Sequence, residues 1–256
     1  MEQAILGARW VQKRVKMRSR NHGAAKYLLT LGSVVLILGS MSWAKDKDQT
    51  DIDKRIEKSA EVLNEIMSVP DKAIPDKVMQ HAKCIAVIPS LVKIAVGFGG
   101  QHGKGVATCR TEHGWSAPAP ITITGGSWGL QLGGQAVDLV MVVNSDKGMQ
   151  KMLSSKFKLG ADASAAAGPV GRDAAADTDI KMNAEVLTYS RARGIFAGID
   201  LNGAVISQDK DETALLYGKF IPFDDLLDGK VPAPASAEPF LAAVRKYSHE
   251  VHERQG

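Results

Sequence analysis

Aromatic residues are scarce in this chain, at 5% of 256 residues. A core built around stacked rings is therefore excluded, and packing must rest on Ala, Val, Ile and Leu. The 25 glycines let backbones approach closely where side chains are small. Cysteine is nearly absent, with Cys84 and Cys109 alone, which excludes a disulfide-dense scaffold. No long apolar run is present either. The longest, Tyr27 to Gly39, holds 13 apolar or small residues, short of the ~20 that a membrane-spanning helix needs. An excess of one charge is also missing once the charges are located. The formal net charge is +4, but residues 1–44 hold seven basic residues and one acid. The remaining chain has 25 basic and 27 acidic residues, net −2. Nucleic-acid binding through bulk positive charge is thereby excluded.

The apolar run reads as part of an address. Arg18, Arg20 and Lys26 precede it, and Ser42-Trp43-Ala44 places small residues before a charged stretch, KDKDQTD. This is the layout of a secretory signal peptide, 1–44, cleaved after Ala44. The segment before Met17 is long for such a peptide, and Met17 is read as the start. No cysteine directly follows the run, so a lipoprotein anchor is not expected. The expected location is the periplasm, with residues 45–256 forming one domain.

In that domain Asp51 to Val69 is expected to be helical. Ile52, Ile56, Leu63, Ile66 and Met67 form one stripe at 3.6-residue spacing. From Lys83 the period shortens. CIAVI, VKIAVGF and GVATCR read as strands of an antiparallel meander, separated by Pro89-Ser90 and by residues 100–103. GWSAPAPI reads as a connector or edge, SWGLQLGGQ as an alternating strand beginning at Ser127, and Val137 to Val143 as a buried strand. Ser145 to Ser155 and Lys210 to Tyr217 are expected to be helices. Glu185 to Ser190 reads as a strand, which places Arg191 and Arg193 in the turn after it. Asn202-Gly203 is a hairpin signal between Ile195–Leu201 and Ala204–Ser207, because both turn positions need positive φ. VPAPASAEP reads as a linker before a last helix striped by Phe240, Leu241, Val244, Tyr247 and Val251. The fold class is α+β. It comprises a Gly-rich antiparallel sheet or partly closed barrel with an N-terminal helix, a short central helix and C-terminal helices.

Three patterns resemble reactive sites. Gly125-Gly126-Ser127-Trp128-Gly129 matches G-x-S-x-G, with Asp138 or Asp200 and His249 or His252 in hydrolase order. That elbow needs a strand before the serine and a helix after it, whereas an alternating strand is expected to follow. His81-x-x-Cys84 and Cys109-x3-His113 resemble zinc spacing, but positions i and i+4 on a strand lie ~13 Å apart, too far to share one ion. Residues 97–105 resemble a phosphate loop without its Lys-Ser/Thr ending. No metal or cofactor is expected. The cysteines form a possible disulfide. A simple meander puts them on either side of its middle strand, ~9.5 Å apart, beyond the ~7 Å limit for a bridge. A different strand order or barrel closure would bring them together, and both alternatives stand.

Charge is distributed unevenly. Residues 147–193 carry eight basic and five acidic groups, net +3, and residues 194–256 are net −4. The central block is thus the one suited to anions.

GKGVATCR, GWSAPAPI, SSKFKLGADASAAAGPVGR and AEVLTYSRARGIFAGIDLNGAVI resemble the SYLF domain, known from actin-patch proteins of yeast, an animal SH3-domain protein and plant FYVE-domain proteins. The chain is most similar to its secreted, stand-alone bacterial branch. The resemblance runs from about Asp51 to about Val251. It implies phospholipid binding without catalysis, and in yeast members actin engagement. The family's N-terminal helix is basic, whereas residues 45–71 here are net −3. The expectation is a periplasmic, non-enzymatic protein binding phospholipid or a membrane surface through anionic head groups, with no nucleic-acid partner. The candidate residues are Lys156, Lys158, Arg172, Arg191 and Arg193, followed by Lys54, Arg55 and Lys58. An envelope adaptor for a protein partner and a serine hydrolase using Ser127 are the alternatives.

Overall fold

The computed structural model describes residues 50–69, 73–96, 98–128, 133–170, 184–192, 195–196 and 201–249. The expected signal peptide, its cleavage site, Met17, Arg172, Arg193, Asp200, Val251 and His252 lie outside the described residues.

Helix α1 spans 50–67. Ile52, Ile56, Leu63 and Ile66 are buried along the stripe expected for it, joined by Ser59, Ala60 and Val62. A short α2, Asp76–Gln80, follows Pro75. Then come β1 (Cys84–Val96), β2 (Phe98–Thr111), β3 (Gly114–Trp115), β4 (Ala119–Trp128) and β5 (Gly133–Val143). Helix α3, Asp146–Leu153, starts where the Ser145 hydroxyl accepts the Gly148 N–H. Strands β6 (Lys156–Lys158), β7 (Ala165–Ala167), β8 (Val186–Ala192), β9 (Ile195–Phe196) and β10 (Val205–Gln208) complete the sheet. Helix α4, Lys210–Tyr217, is capped by the Asp209 carboxylate and stops at Gly218, whose φ of 74° suits glycine. Helix α5 (Phe223–Leu227), a 3₁₀ turn (Ala235–Ala237) and α6 (Glu238–Ser248) close the described chain.

Among the described residues the main strand order is β6-β10-β4-β2-β1-β5-β8-β7, in a strongly curled, half-barrel sheet. All pairings are antiparallel except β7 with β8. Strand alternation sends side chains into two apolar layers. Cys84, Ala86, Ile88, Leu139 and Met141 pack with Met152, Phe223 and Leu226 on one face. Ile85, Val87, Val140 and Val142 pack with α1, α2 and α6 on the other, against Ile56, Met79 and Phe240.

Several local readings are corrected. CIAVI and VKIAVGF are not separate strands, because Pro89-Ser90 is a bulge within one 13-residue strand. Between Val87 and Val92 the strand β1 holds one residue more than β2 does between Val106 and His102. Ser90 takes a φ of 58° there, and its N–H donates to the Asp138 carboxylate at 3.1 Å. A bulge satisfies the backbone that a turn would have satisfied, so the local sequence looks the same. SWGLQLGGQ is not one strand: Ser127 and Trp128 end β4, which begins at Ala119 within GWSAPAPI. Asn202-Gly203 does turn, with Gly203 at φ 84°. However, β10 after it pairs with β4 and β6 rather than folding back on the preceding segment. The linker VPAPASAEP contains the 3₁₀ turn. Arg191 lies on β8, not in a turn.

Candidate functional site

The residues singled out from charge separate into two groups. Lys156 and Lys158 stand exposed on one side of β6, with Phe157 turned into the core between them. The β6 backbone is held by β10 and by the Asp162 carboxylate, which accepts the Lys158 N–H at 2.7 Å. Lys54 is exposed on α1. The second group is spent on internal ion pairs. Arg191 bonds Glu65 of α1 and Asp138 of β5, Arg55 bonds Glu212 at 2.5 Å, and Lys58 bonds Glu61 at 2.6 Å. The Glu61 hydrogen bond, outweighing desolvation, raises the Lys58 pKa. Arg55 and Arg191 thus tie the two ends of α1 to the body.

A charge network not foreseen from the sequence sits beneath α1. Lys104 on β2 reaches Asp209 at 2.8 Å and Glu212 at 3.0 Å, and Thr122 donates to Asp209 at 3.1 Å. Burial works against the Asp209 carboxylate. The Glu212 N–H, Lys104 and Thr122 outweigh it and hold its pKa below the ordinary value. Burial likewise opposes the Lys104 charge, but its two carboxylates raise its pKa overall. The visible sequence signal was Asp209-x-x-Glu212, an acidic version of a capping box. Glu212 turns to Lys104 instead of back to the cap.

Beyond this network the helix-covered face of the sheet continues without cover from a described helix. Residues paired across neighbouring strands share a face. One row runs Lys158, Val205, Thr124, His102, Val92, Ala136. The next runs Gly126, Gly100, Ile94, Gly134. Val92 is 41% and Ile94 58% exposed, and Lys158, Thr124, His102, Ala136 and the three glycines are exposed too. The opposite side carries Gln135, Lys93, Gln101 and Gly125 in register. No carboxylate occurs in residues 77–111 or 113–137.

The reactive patterns resolve differently. Cys84 and Cys109 are directly opposed on β1 and β2 and form a disulfide with Cα atoms 4.0 Å apart. The bulge explains this, because it makes β1 and β2 immediate neighbours over their whole length. With both thiols joined, neither is a zinc ligand. Ser127 is paired with Gly99 inside the ladder, and only four residues separate Trp128 from β5. That leaves no room for the helix of a nucleophile elbow. Among the described residues no helix is long and apolar enough to cross a membrane.

The profile of the Ysc84 family, described as "Las17-binding protein actin regulator", matches residues 124–247. SH3 domain-containing YSC84-like protein 1 of Mus musculus is 32% identical over 214 residues, covering 81% of this chain and 62% of the relative. The Homo sapiens protein of that name is 30% identical over the same shares. Protein YSC84 of Saccharomyces cerevisiae is 33% identical over 175 residues, 67% of this chain and 37% of its own length. The chain therefore spans less than two thirds of these relatives. Similarity of this extent makes the chain a member of the Ysc84, or SYLF-domain, family.

Proposed function

We propose that this is an exported, non-enzymatic phospholipid-binding protein that favours anionic membrane surfaces. The observation that carries the reading is the pair Lys156 and Lys158, exposed and outside the internal ion pairs. Lys158 also stands at the end of an open sheet row with no carboxylate in it. Residues 45–256, with a net charge of −2, would approach an anionic bilayer through such a local surface. Each cation near the surface contributes about 1 kcal/mol, screened over ~8–10 Å at physiological salt. The disulfide supports an oxidising compartment, consistent with the signal-like segment at 1–44, and intact mass should place the exported N-terminus at Lys45. An N-terminus retaining Trp43 would contradict that processing.

Co-sedimentation with phosphatidylglycerol vesicles tests the binding. The protein should bind them more tightly than phosphatidylcholine vesicles and lose affinity as salt rises. Lys156→Gln with Lys158→Gln should weaken anionic binding by about 30-fold, from about 1 kcal/mol per charge. Equal binding to both vesicle types would refute the proposal. A second reading is an envelope adaptor for a protein partner. It is favoured by the family description as a Las17-binding regulator. That reading expects partner capture that neither lysine nor salt controls in this way.

A further inference from the structure

We propose that the uncovered extension of the sheet is the part that enters the membrane, its apolar face lying in the boundary between head groups and acyl chains. This rests on the phospholipid reading above and names the element that performs it. The extension is built from the distal halves of β1, β2, β4 and β5. Strand β10 pairs with β4 only as far as Thr124, and β8 pairs with β5 only from Asp138 onward. What remains is a four-stranded tongue with two chemically different sides. One bears Val92, Ile94 and Ala136 among glycines. The other bears Lys93, Gln101 and Gln135.

Several observations select a bilayer as the occupant. Val92 and Ile94 are two of the four large apolar residues left exposed among the described residues, and they are neighbours on one strand face. The tongue contains no carboxylate, so an anionic surface meets no repulsion there. The rows around Ile94 are Gly126, Gly100 and Gly134. The row of Ile94 itself holds no aromatic or arginine anchor of the kind a protein interface concentrates at its centre, whereas a fluid bilayer needs no shape match. The next pairs in register, Val96 with Phe98 and Phe98 with Trp128, add aromatics, residue types enriched at membrane boundaries. The cation is also suitably placed. Lys158 shares the row of Val92, and Ile94 lies two residues further out, ~7 Å along the strand. A cation and the apolar pair on one face allow Lys158 to meet phosphates while Ile94 enters the interfacial boundary. Full insertion is disfavoured, because β4 beyond Thr124 and β5 before Asp138 are sheet edges among the described residues. Hydrocarbon does not tolerate open edges.

The test uses the two native cysteines' engagement in the disulfide, so that an introduced cysteine is the sole free thiol. Ile94→Cys, labelled with an environment-sensitive fluorophore, is mixed with vesicles of equal parts phosphatidylglycerol and phosphatidylcholine. His113→Cys, in the turn beyond the opposite end of β2, is the control. A blue shift and quenching by lipid-borne quenchers are expected at 94 and not at 113. Val92→Ser with Ile94→Ser leaves the charge unchanged and should weaken vesicle binding by about ten-fold through lost apolar contact, with the circular dichroism spectrum retained. If wild type binds, the label at 94 stays aqueous and the double variant binds normally, the tongue is not the inserted element and the lipid reading survives. If wild type does not bind these vesicles, both fall. A lipid-independent dimer in sedimentation that the double variant dissociates would assign this face to a second copy and overturn the proposal. Should the double variant misfold, the labelled protein still decides.

Discussion

Replacing both half-cystines, Cys84→Ala with Cys109→Ala, removes a link that joins two strands already paired. Its effect therefore falls mainly on the unfolded chain. The bridge closes a sequence separation of 25 residues. Loop-closure entropy for that length gives about 3.5 kcal/mol at 25 °C. Both side chains are fully buried, and losing two sulfur atoms from a closed layer adds a packing loss that brings the total to about 4 kcal/mol. For a domain of this size each kcal/mol shifts Tm by about 2–4 °C, so the midpoint should fall by ~8–16 °C. Thermal unfolding followed by circular dichroism at neutral pH measures it. Burial also makes the native bridge resistant to reductant, and alkylation with mass spectrometry should count no free thiol until denaturant is added. A Tm change within about 2 °C, or ready reduction of the folded protein, would refute the reasoning.

Lys104→Met should destabilise the fold by about 2 kcal/mol at pH 7. This is below the ~3–5 kcal/mol of a fully buried pair because Lys104 is partly exposed and Arg55 still faces Glu212. The lowered Asp209 pKa means its contribution is present above the ordinary aspartate value of ~3.9 and lost as pH falls through its folded value. The raised Lys104 pKa means its contribution is present below ~10.4 and lost as pH rises through its folded value. Urea titrations should therefore show the gap between variant and wild type closing at both pH extremes, and a gap independent of pH would contradict the network. Arg191→Gln should release the C-terminal end of α1, and amide exchange over 50–67 should accelerate more than exchange in β1 or β5. Uniform exchange would show that the Glu65 and Asp138 pairs do not hold the helix.

Much of the fold was legible because local periodicity and tertiary burial agree. The α1 stripe through Ile52, Ile56, Leu63 and Ile66 and the α6 stripe through Phe240 and Val244 are buried as their spacing demanded. The capped helices at Ser145 and Asp209 start where their caps stand. Pairing between distant segments was not legible. Lys104 and Glu212 are 108 residues apart, and nothing near either announces the other. Arg191 and Arg55 looked like free surface charge because their partners, Glu65 and Glu212, belong to other elements. The disulfide was undecidable for the same reason, since its geometry depends on whether Pro89-Ser90 ends a strand or kinks it. Lys156 and Lys158 were singled out by charge alone, and the short strand around Phe157 that exposes them was not foreseen.

The bulge at Pro89-Ser90 also acts as a parity operator on β1. Before it, even-numbered residues, Cys84, Ala86 and Ile88, enter the disulfide-side layer. After it the odd-numbered Leu91 does so, and even-numbered Val92 and Ile94 emerge on the other side. If the same residues ran straight through without the bulge, the strand would keep its original phase, turning Val92 and Ile94 inward and presenting Lys93 on the outer face. A single-codon deletion at 89–90 would instead remove the bulge and leave Val92 opposite His102 on the same face, because the extra residue and the bulge cancel each other. A strand one residue shorter at this point would present the same two faces without a bulge, so chain length and backbone conformation here have to be read together.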